Sequence, residues 1–132
     1  MTKTIAEKLQ IKPNTTVWVS DPGQIALLTP MPDGVRESDS MATASTAVLF
    51  VQDATSAHRL MEQHAADVTK PGVFWVAYPK GNTTDINRDT LWPIIAEFGM
   101  RPNSQVAIDS KWSALRFRAN REGEEPFTGG AG

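Results

Sequence analysis

A short apolar run at residues 73–77 limits most strongly what this chain can fold into. Its sequence, VFWVA, contains no polar side chain, which is typical of a strand covered on both faces of a parallel sheet. The turn-forming segment YPKGN follows directly, and the apolar spacing after residue 84 predicts a helix. A strand, a polar loop and a helix in this order form half of a parallel α/β unit. Because such folds carry their sites at the carboxyl ends of strands, the loop after residue 77 is a candidate site.

The chain length, net charge, cysteine content and apolar runs exclude several classes of protein. A chain of 132 residues suffices for one domain with one core. Its formal net charge of -2 argues against non-specific nucleic-acid binding, which needs a basic excess. The absence of cysteine excludes disulfides and zinc thiolate sites. No signal peptide is evident, and no apolar run approaches the roughly 20 residues that cross a bilayer. We therefore expect a cytoplasmic protein that has no membrane segment and no metal site.

Other segments predict the remaining strands of the sheet. Residues 15–20 and 46–51 are rich in β-branched and aromatic side chains, as strands are. Residues 35–37 predict a short, weak strand. Period-two alternation within residues 105–117, on both sides of the turn at 109–111, predicts an antiparallel hairpin.

Helical segments separate the predicted strands. Thr4 begins a capping box, a hydroxyl followed three residues later by a glutamate. We expect Thr55 or Ser56 to cap the helix after the strand at 46–51, and Thr84 or Asp85 to cap the helix after the strand at 73–77.

Together these elements predict an α/β fold. It is a three-layer Rossmann-like open sheet, mostly parallel, that ends in an antiparallel hairpin. Right-handed crossovers lead us to expect the strand order 2-1-3-4-6-5. Residues 1–118 form the predicted single domain. Residues 119–132 are polar and glycine-rich, which predicts a disordered tail.

Two resemblances to known families support this fold. Residues 9–20, LQIKPNTTVWVS, resemble the lead-in and first strand of Rossmann-like methyltransferases, whose topology with a terminal hairpin is also similar. Those enzymes continue with a glycine-rich loop that admits adenosylmethionine, whereas residues 21–24 are DPGQ, with one glycine. This resemblance therefore implies the topology without the cofactor motif, and the cofactor stays unknown.

The closer resemblance covers most of the chain between residues 9 and 118. The segments LFV, WVAYPKG, INRDTL and QVAIDSKWSALRFR are similar to those of a family of small bacterial proteins known only as a domain of unknown function. The resemblance implies the fold and a bacterial source. It brings no activity with it.

The loop after the strand at 73–77 carries the first candidate site. Lys80 and Arg88 bracket the predicted helix start, where backbone N–H groups and the helix dipole favour anions. With Tyr78 and Gly81, and with help from Asn82 or Thr83, they could bind a phosphate or a carboxylate. The alternative is an ordinary strand-to-helix turn in which Asp85 caps the helix and Arg88 pairs with a neighbouring carboxylate.

Three aspartates follow predicted strands. Asp21, Asp53 and Asp109 could bind magnesium or act as acid and base if they cluster. The alternative, which we expect, is that each satisfies nearby N–H groups in a turn or a cap and binds no metal. Because parallel strands deliver their carboxyl ends to one rim, we expect Asp21, Asp53 and Lys80 to be neighbours.

Arginines on the last predicted strand form a third candidate. Arg116 and Arg118 alternate in phase with Trp112, so an arginine and tryptophan face could stack on a nucleotide ring. The alternative is an edge strand on which charge prevents aggregation.

The function expected from these residues is binding rather than catalysis. We predict a non-catalytic module that binds a small anionic ligand or a protein partner, through Asp21, Asp53, Tyr78, Lys80, Gly81 and Arg88. The alternative is a divergent transferase that depends on adenosylmethionine or a nucleotide. A nucleic-acid partner is not expected, and the sequence leaves the oligomeric state open.

Overall fold

A six-stranded mixed sheet organises the chain. A computed structural model describes residues 4–81, 84–120 and 123–124. The strands, in chain order, are β1 (Thr16–Val19), β2 (Arg36–Glu37), β3 (Thr46–Phe50), β4 (Val73–Pro79), β5 (Met100–Ala107) and β6 (Trp112–Ala119). Their order in the sheet is β2-β1-β3-β4-β6-β5. The pairs among β1 to β4 are parallel, and β6 pairs antiparallel with both β4 and β5. The predicted order and terminal hairpin are confirmed.

Helices cover both faces of this sheet. The α-helices are α1 (Ile5–Lys8), α2 (Ala54–Gln63) and α3 (Arg88–Ala96), and two 3-10 helices occupy Pro22–Leu28 and Met41–Thr43. Side chains of α2 and α3 pack with Leu49 and Val76 in one apolar cluster. Side chains of α1 and the first 3-10 helix pack with Val48 and Trp75 in another. Because successive side chains of a strand point to opposite faces, these two clusters make the three layers that the sequence predicts.

The strand β4 is covered on both faces, as its unbroken apolar sequence predicts. Residues 74–79 are all buried, and β3 and β6 pair with the two edges of the strand. Trp75 is 1% exposed, and its indole N–H donates to the Leu9 carbonyl at 2.9 Å. A buried N–H without an acceptor is costly, so this bond fixes α1 and the segment after it against the sheet.

The helix starts differ in part from the predicted ones. Thr4 caps α1 in the predicted capping box with Glu7. The predicted caps of α2 and α3 are wrong, because Asp53 caps α2 and Asn87 caps α3. Each of these two residues forms a reciprocal capping box with the hydroxyl residue three positions later, Ser56 and Thr90. A reciprocal box satisfies two backbone donors at once, which explains why these positions begin the helices.

The carboxyl end of β6 makes contacts beyond residue 118. The strand includes Ala119, and the Glu124 carboxylate pairs with Arg118 at 3.0 Å and with Arg101 at 3.1 Å. The hydrogen bond to Glu124 raises the pKa of Arg118 above its ordinary value, although desolvation acts in the opposite direction. The other residues of the predicted tail lie outside the described part, apart from Asn120 and Gly123, and the domain boundary stays a prediction. No helix among the described residues has the length and apolar character needed to cross a membrane.

We expect Trp75→Phe to lower the free energy of unfolding by about 1–3 kcal/mol, because the Leu9 carbonyl loses its buried donor. Urea unfolding measures this loss. Trp18→Phe is the matched control, since Trp18 is half-buried and packs edge-on against His64, with 5.1 Å between ring centroids. Equal losses in the two variants would contradict a specific role for the Trp75 N–H.

Candidate functional site

The carboxyl ends of β1, β3 and β4 meet at one rim of the sheet, because these strands are parallel and adjacent. Asp21, Asp53 and Lys80 each follow one of these strands within three residues. The shared rim is therefore the one that the sequence predicts. The three residues at this rim, however, each form hydrogen bonds with a different part of the chain.

The three aspartates accept local backbone N–H bonds. Asp21 Oδ1 accepts from Gly23 at 3.1 Å at the start of the first 3-10 helix, and Asp53 Oδ1 accepts from Ser56 at 2.8 Å at the start of α2. Asp109 Oδ1 accepts from the residue before β6 and from the first residue of β6, at 2.8 and 2.7 Å. Within the described ranges, no three His, Asp or Glu side chains come together as a metal site would require. These contacts are those of caps and turns.

The amino end of α3 is likewise satisfied from within the chain. Asn87 Oδ1 accepts the N–H groups of Asp89 and Thr90 at 2.9 and 3.0 Å. Arg88 pairs with Asp89 at 3.7 Å, and both side chains are largely exposed. Asp85 Oδ1 accepts the N–H of the first residue of α2 at 2.8 Å and so ties this loop to that helix. Two of the backbone N–H groups that could bind an anion at this helix start therefore donate to Asn87 instead. Residues 82 and 83, the predicted helpers Asn82 and Thr83, lie outside the described part of the chain.

A cleft lies at the carboxyl end of β4, on the sheet face that α2 and α3 cover. It has a volume of about 480 Å³ and is lined by Tyr78, Lys80, Gly81, Gln105, Ala107 and Ser113. We call it the β4 cleft. Tyr78 and Ser113 are direct partners in the β4–β6 pair, and each is 4% exposed. Two nearly buried hydroxyl groups thus lie side by side in its wall.

Gln105 holds these two hydroxyls in place. Its Nε2 donates to Tyr78 Oη at 3.0 Å and to Ser113 Oγ at 3.2 Å. Ser113 Oγ in turn donates to the Val106 carbonyl at 3.4 Å. Because Tyr78 Oη accepts from Gln105, its own proton can be donated to a further acceptor. The wall of the β4 cleft therefore presents an oriented hydroxyl donor.

The mouth of the β4 cleft is formed by the turn that follows β4. The Lys80 N–H donates to the Lys111 carbonyl at 2.8 Å, which holds the turn against the β5–β6 hairpin. Gly81 has φ +78 and open space where a Cβ would stand, so the chain turns away sharply here. The half-buried Lys80 brings a positive charge to this opening. A cation beside a hydroxyl donor can bind an anion through charge-assisted hydrogen bonds.

The predicted site residues divide into three groups. Tyr78, Lys80 and Gly81 line the β4 cleft. Arg88 lines a neighbouring cavity of about 310 Å³. Asp21 and Asp53 line neither of these cavities, nor the cavity of about 870 Å³ that residues 4–14 and 30–33 form at the opposite end of β1.

The arginine and tryptophan face predicted on the last strand is not available for stacking. Trp112 is 2% exposed and packs edge-on against Phe50 at 5.2 Å. The edge-strand interpretation of Arg116 and Arg118 is also wrong, because β6 lies between β4 and β5 and the edge strand is β5. Arg118 is instead held by Glu124.

Sequence reasoning missed Gln105 and Ser113 as site residues. The alternation of the hairpin assigned Ser113 to the same face as Leu115, and this phase is correct because Leu115 and Phe117 belong to the α2 and α3 cluster. The pairing of Ser113 with Tyr78 depends on the register between β4 and β6, which no local pattern specifies.

Known structures share this fold at low sequence identity. A Streptococcus pneumoniae protein described as a candidate tRNA (m1A22) methyltransferase aligns over 98% of this chain and 74% of its own, with 9% identity and a TM-score of 0.56. A protein of the NADB-Rossmann superfamily from Streptococcus agalactiae aligns over 97% and 72%, with 8% identity and a TM-score of 0.56. LepI in complex with SAH and a substrate analogue aligns over 88% and 39%, with 14% identity and a TM-score of 0.51.

No family model matches the sequence, and no curated protein matches it. At these identities the structural likeness extends to the fold alone. The Rossmann-like topology shared with methyltransferases is therefore confirmed. The resemblance to the family of small bacterial proteins stays a prediction.

We expect Asp53→Ala to lower the free energy of unfolding by about 1 kcal/mol, the usual cost of losing an N-cap, whereas Asp53→Asn keeps the cap and most of the stability. Urea unfolding of both variants measures the difference. An Asn variant as unstable as the Ala variant would speak against the capping role, since a cap tolerates the amide.

Proposed function

We propose that this chain is a non-catalytic Rossmann-like binding module that takes a small anionic ligand in the β4 cleft. The observation that carries the proposal is the juxtaposition of Lys80 with the Tyr78 and Ser113 hydroxyls around one opening. A phosphate or carboxylate there meets a positive charge and a hydroxyl donor at once.

The preorganisation of the wall supports binding of this kind. Gln105 already bridges the two hydroxyls, and Tyr78 and Ser113 are nearly buried. Binding therefore requires little further ordering of Tyr78 and Ser113. The ordering of side chains is one of the main costs of association. Hydrogen bonds to an ionised partner are also stronger than those between neutral groups.

The residues that line the β4 cleft also lead us to propose that the chain is not catalytic. Among the described residues that line the β4 cleft, none is a histidine or a carboxylate. Asp21 and Asp53, the carboxylates at the rim, accept backbone N–H bonds as caps. Tyr78 and Lys80 are side chains of types that can transfer protons, and we assign them to ligand binding rather than to acid–base catalysis. The predicted protein partner is set aside because a cleft with a charged mouth favours a small ligand.

A second candidate is a divergent transferase that uses adenosylmethionine. It is favoured by the fold shared with a candidate methyltransferase and with LepI, which was solved with SAH. Glu37 also ends β2 as an exposed acidic residue, and Rossmann folds use an acidic residue at this position to hold a ribose hydroxyl. Against it, the segment after β1 is a 3-10 helix whose Leu28 is buried in the core. That helix stands where methyltransferases have their glycine-rich cofactor loop, so we rank this candidate second.

Titration with inorganic phosphate and with glycerol 3-phosphate, followed by amide chemical shifts at constant ionic strength, tests the anion site. We expect shifts at Lys80, Gly81 and Gln105. Lys80→Gln should weaken binding by about tenfold or more, because one charge-assisted hydrogen bond is lost. Lys8→Gln, on the exposed end of α1, is the matched control and should leave binding unchanged. Equal affinity in the two variants would sink the proposal.

A thermal-shift measurement with adenosylmethionine separates the two candidates. The proposed binding module predicts no rise in the melting temperature, even at high cofactor concentration. A ligand at 100 times its dissociation constant should stabilise the fold by about 2.7 kcal/mol, a change that a domain of this size shows clearly. A rise that Glu37→Gln abolishes would favour the transferase instead.

A further inference from the structure

The cavity lined by Arg88 adjoins the β4 cleft on the same face of the sheet. Its described lining residues include Arg88, Trp92, Gln105 and Leu115, and we call it the α3 cleft. Gln105 lines both cavities, so its side chain forms part of the wall between them. The two clefts are therefore neighbouring compartments of one groove, bounded by α3 and the β5–β6 hairpin.

The register of the hairpin fixes how far apart the compartments are. Ala107 pairs with Ser113 in the β4 cleft, and Gln105 pairs with Leu115 at the floor of the α3 cleft. These rows are two residues apart along each strand, a distance of about 7 Å. A single sugar spans a comparable distance between the phosphate and the base attached to it.

The α3 cleft has the chemistry of a site for a flat ring. Leu115 is 4% exposed and forms an apolar floor, and the half-buried Trp92 borders the cleft and packs against the apolar cluster of α2 and α3. Arg88, whose side chain is 62% exposed, adds a planar cation at the opening. Indole and guanidinium groups both stack on aromatic rings.

The remaining lining residues suit the edge of a nucleobase. Asp89, Asn103 and Ser104 border the α3 cleft, and they supply carboxylate, amide and hydroxyl groups that can hydrogen-bond to ring nitrogens and exocyclic groups. A simple aromatic acid has no such edge to satisfy. The net charge of -2 disfavours a polynucleotide, which leaves a single nucleotide as the better fit.

We propose that the ligand is a nucleoside monophosphate, with its phosphate in the β4 cleft beside Lys80 and its base in the α3 cleft beside Trp92. This inference rests on the proposed function, because the phosphate uses the same anion site. It adds the ring, the sugar-length spacing and the residues that would recognise the base.

Calorimetric titration of the full chain with AMP, GMP, CMP, UMP, ribose 5-phosphate and adenosine tests the inference. At least one nucleotide should bind about tenfold or more tightly than ribose 5-phosphate, because stacking of the base adds to the phosphate contact. Adenosine, which lacks the phosphate, should bind more weakly than AMP. Trp92→Leu should remove the advantage of the nucleotide and leave ribose 5-phosphate binding unchanged, which also shows that the variant is folded.

Arg88→Gln provides a second variant that does not depend on the core, because the side chain is largely exposed. It should weaken nucleotide binding and leave ribose 5-phosphate binding as it was. Arg59→Gln, an exposed arginine on α2, is the matched control and should change neither affinity.

Each contrary result has a distinct meaning. If ribose 5-phosphate binds through Lys80 and no nucleotide binds more tightly, the inference fails and the proposed function stands. If a nucleotide binds more tightly but neither Trp92→Leu nor Arg88→Gln changes this, the base lies elsewhere and the inference fails. If no phosphate compound binds through Lys80, the proposed function fails and the inference fails with it.

Discussion

Burial of β4 on both faces is the constraint on which the rest of the structure depends. Its backbone is paired on one side with the parallel β3 and on the other with the antiparallel β6. Its side chains alternate between the cluster that contains Trp75 and the cluster that contains Val76. A strand of this kind needs a helical layer on each face, because apolar area on either side would otherwise meet water. The three-layer architecture follows from that requirement.

The candidate site follows from where this burial ends. Tyr78 is still buried, whereas Lys80 is half-buried and Gly81 is exposed, so a polar opening forms directly above the core. The antiparallel partner β6 brings Ser113 beside Tyr78, and the edge strand β5 brings Gln105 within hydrogen-bond distance of both. Three strands thus contribute to one cleft. Tyr78 and Ser113 are each 4% exposed, so packing against the core orients the two hydroxyl groups before a ligand binds.

The sequence predicts the sheet well because the information is local. An unbroken apolar run, the β-branched segments and the alternation of the hairpin identify the strands, and right-handed crossovers leave few orders to choose from. The helix caps are harder to predict, because several neighbouring residues at each helix start have side chains that can cap. Asp53 and Asn87 prevail through reciprocal bonds with the hydroxyl residues three positions later.

The site is predictable only in part, and the reason is physical. Lys80 and Gly81 can be identified because they follow a buried strand. Gln105 and Ser113 cannot be identified in this way. Their contact with Tyr78 depends on the register of β6 against β4 and of β5 against β6, and β4 is distant from β6 along the chain. The carboxylates at the rim beside β1 and β3 serve as caps, and a cap and a ligand-binding carboxylate look the same in sequence.

We place the ligand at the end of β4 on the α3 side, rather than at the rim beside β1 and β3. A crystal structure of the chain grown with AMP tests this placement most directly. We expect density for the phosphate beside Lys80 and for the base beside Trp92, on either side of Gln105. Density beside Asp21 and Asp53, with both clefts holding only solvent, would contradict it.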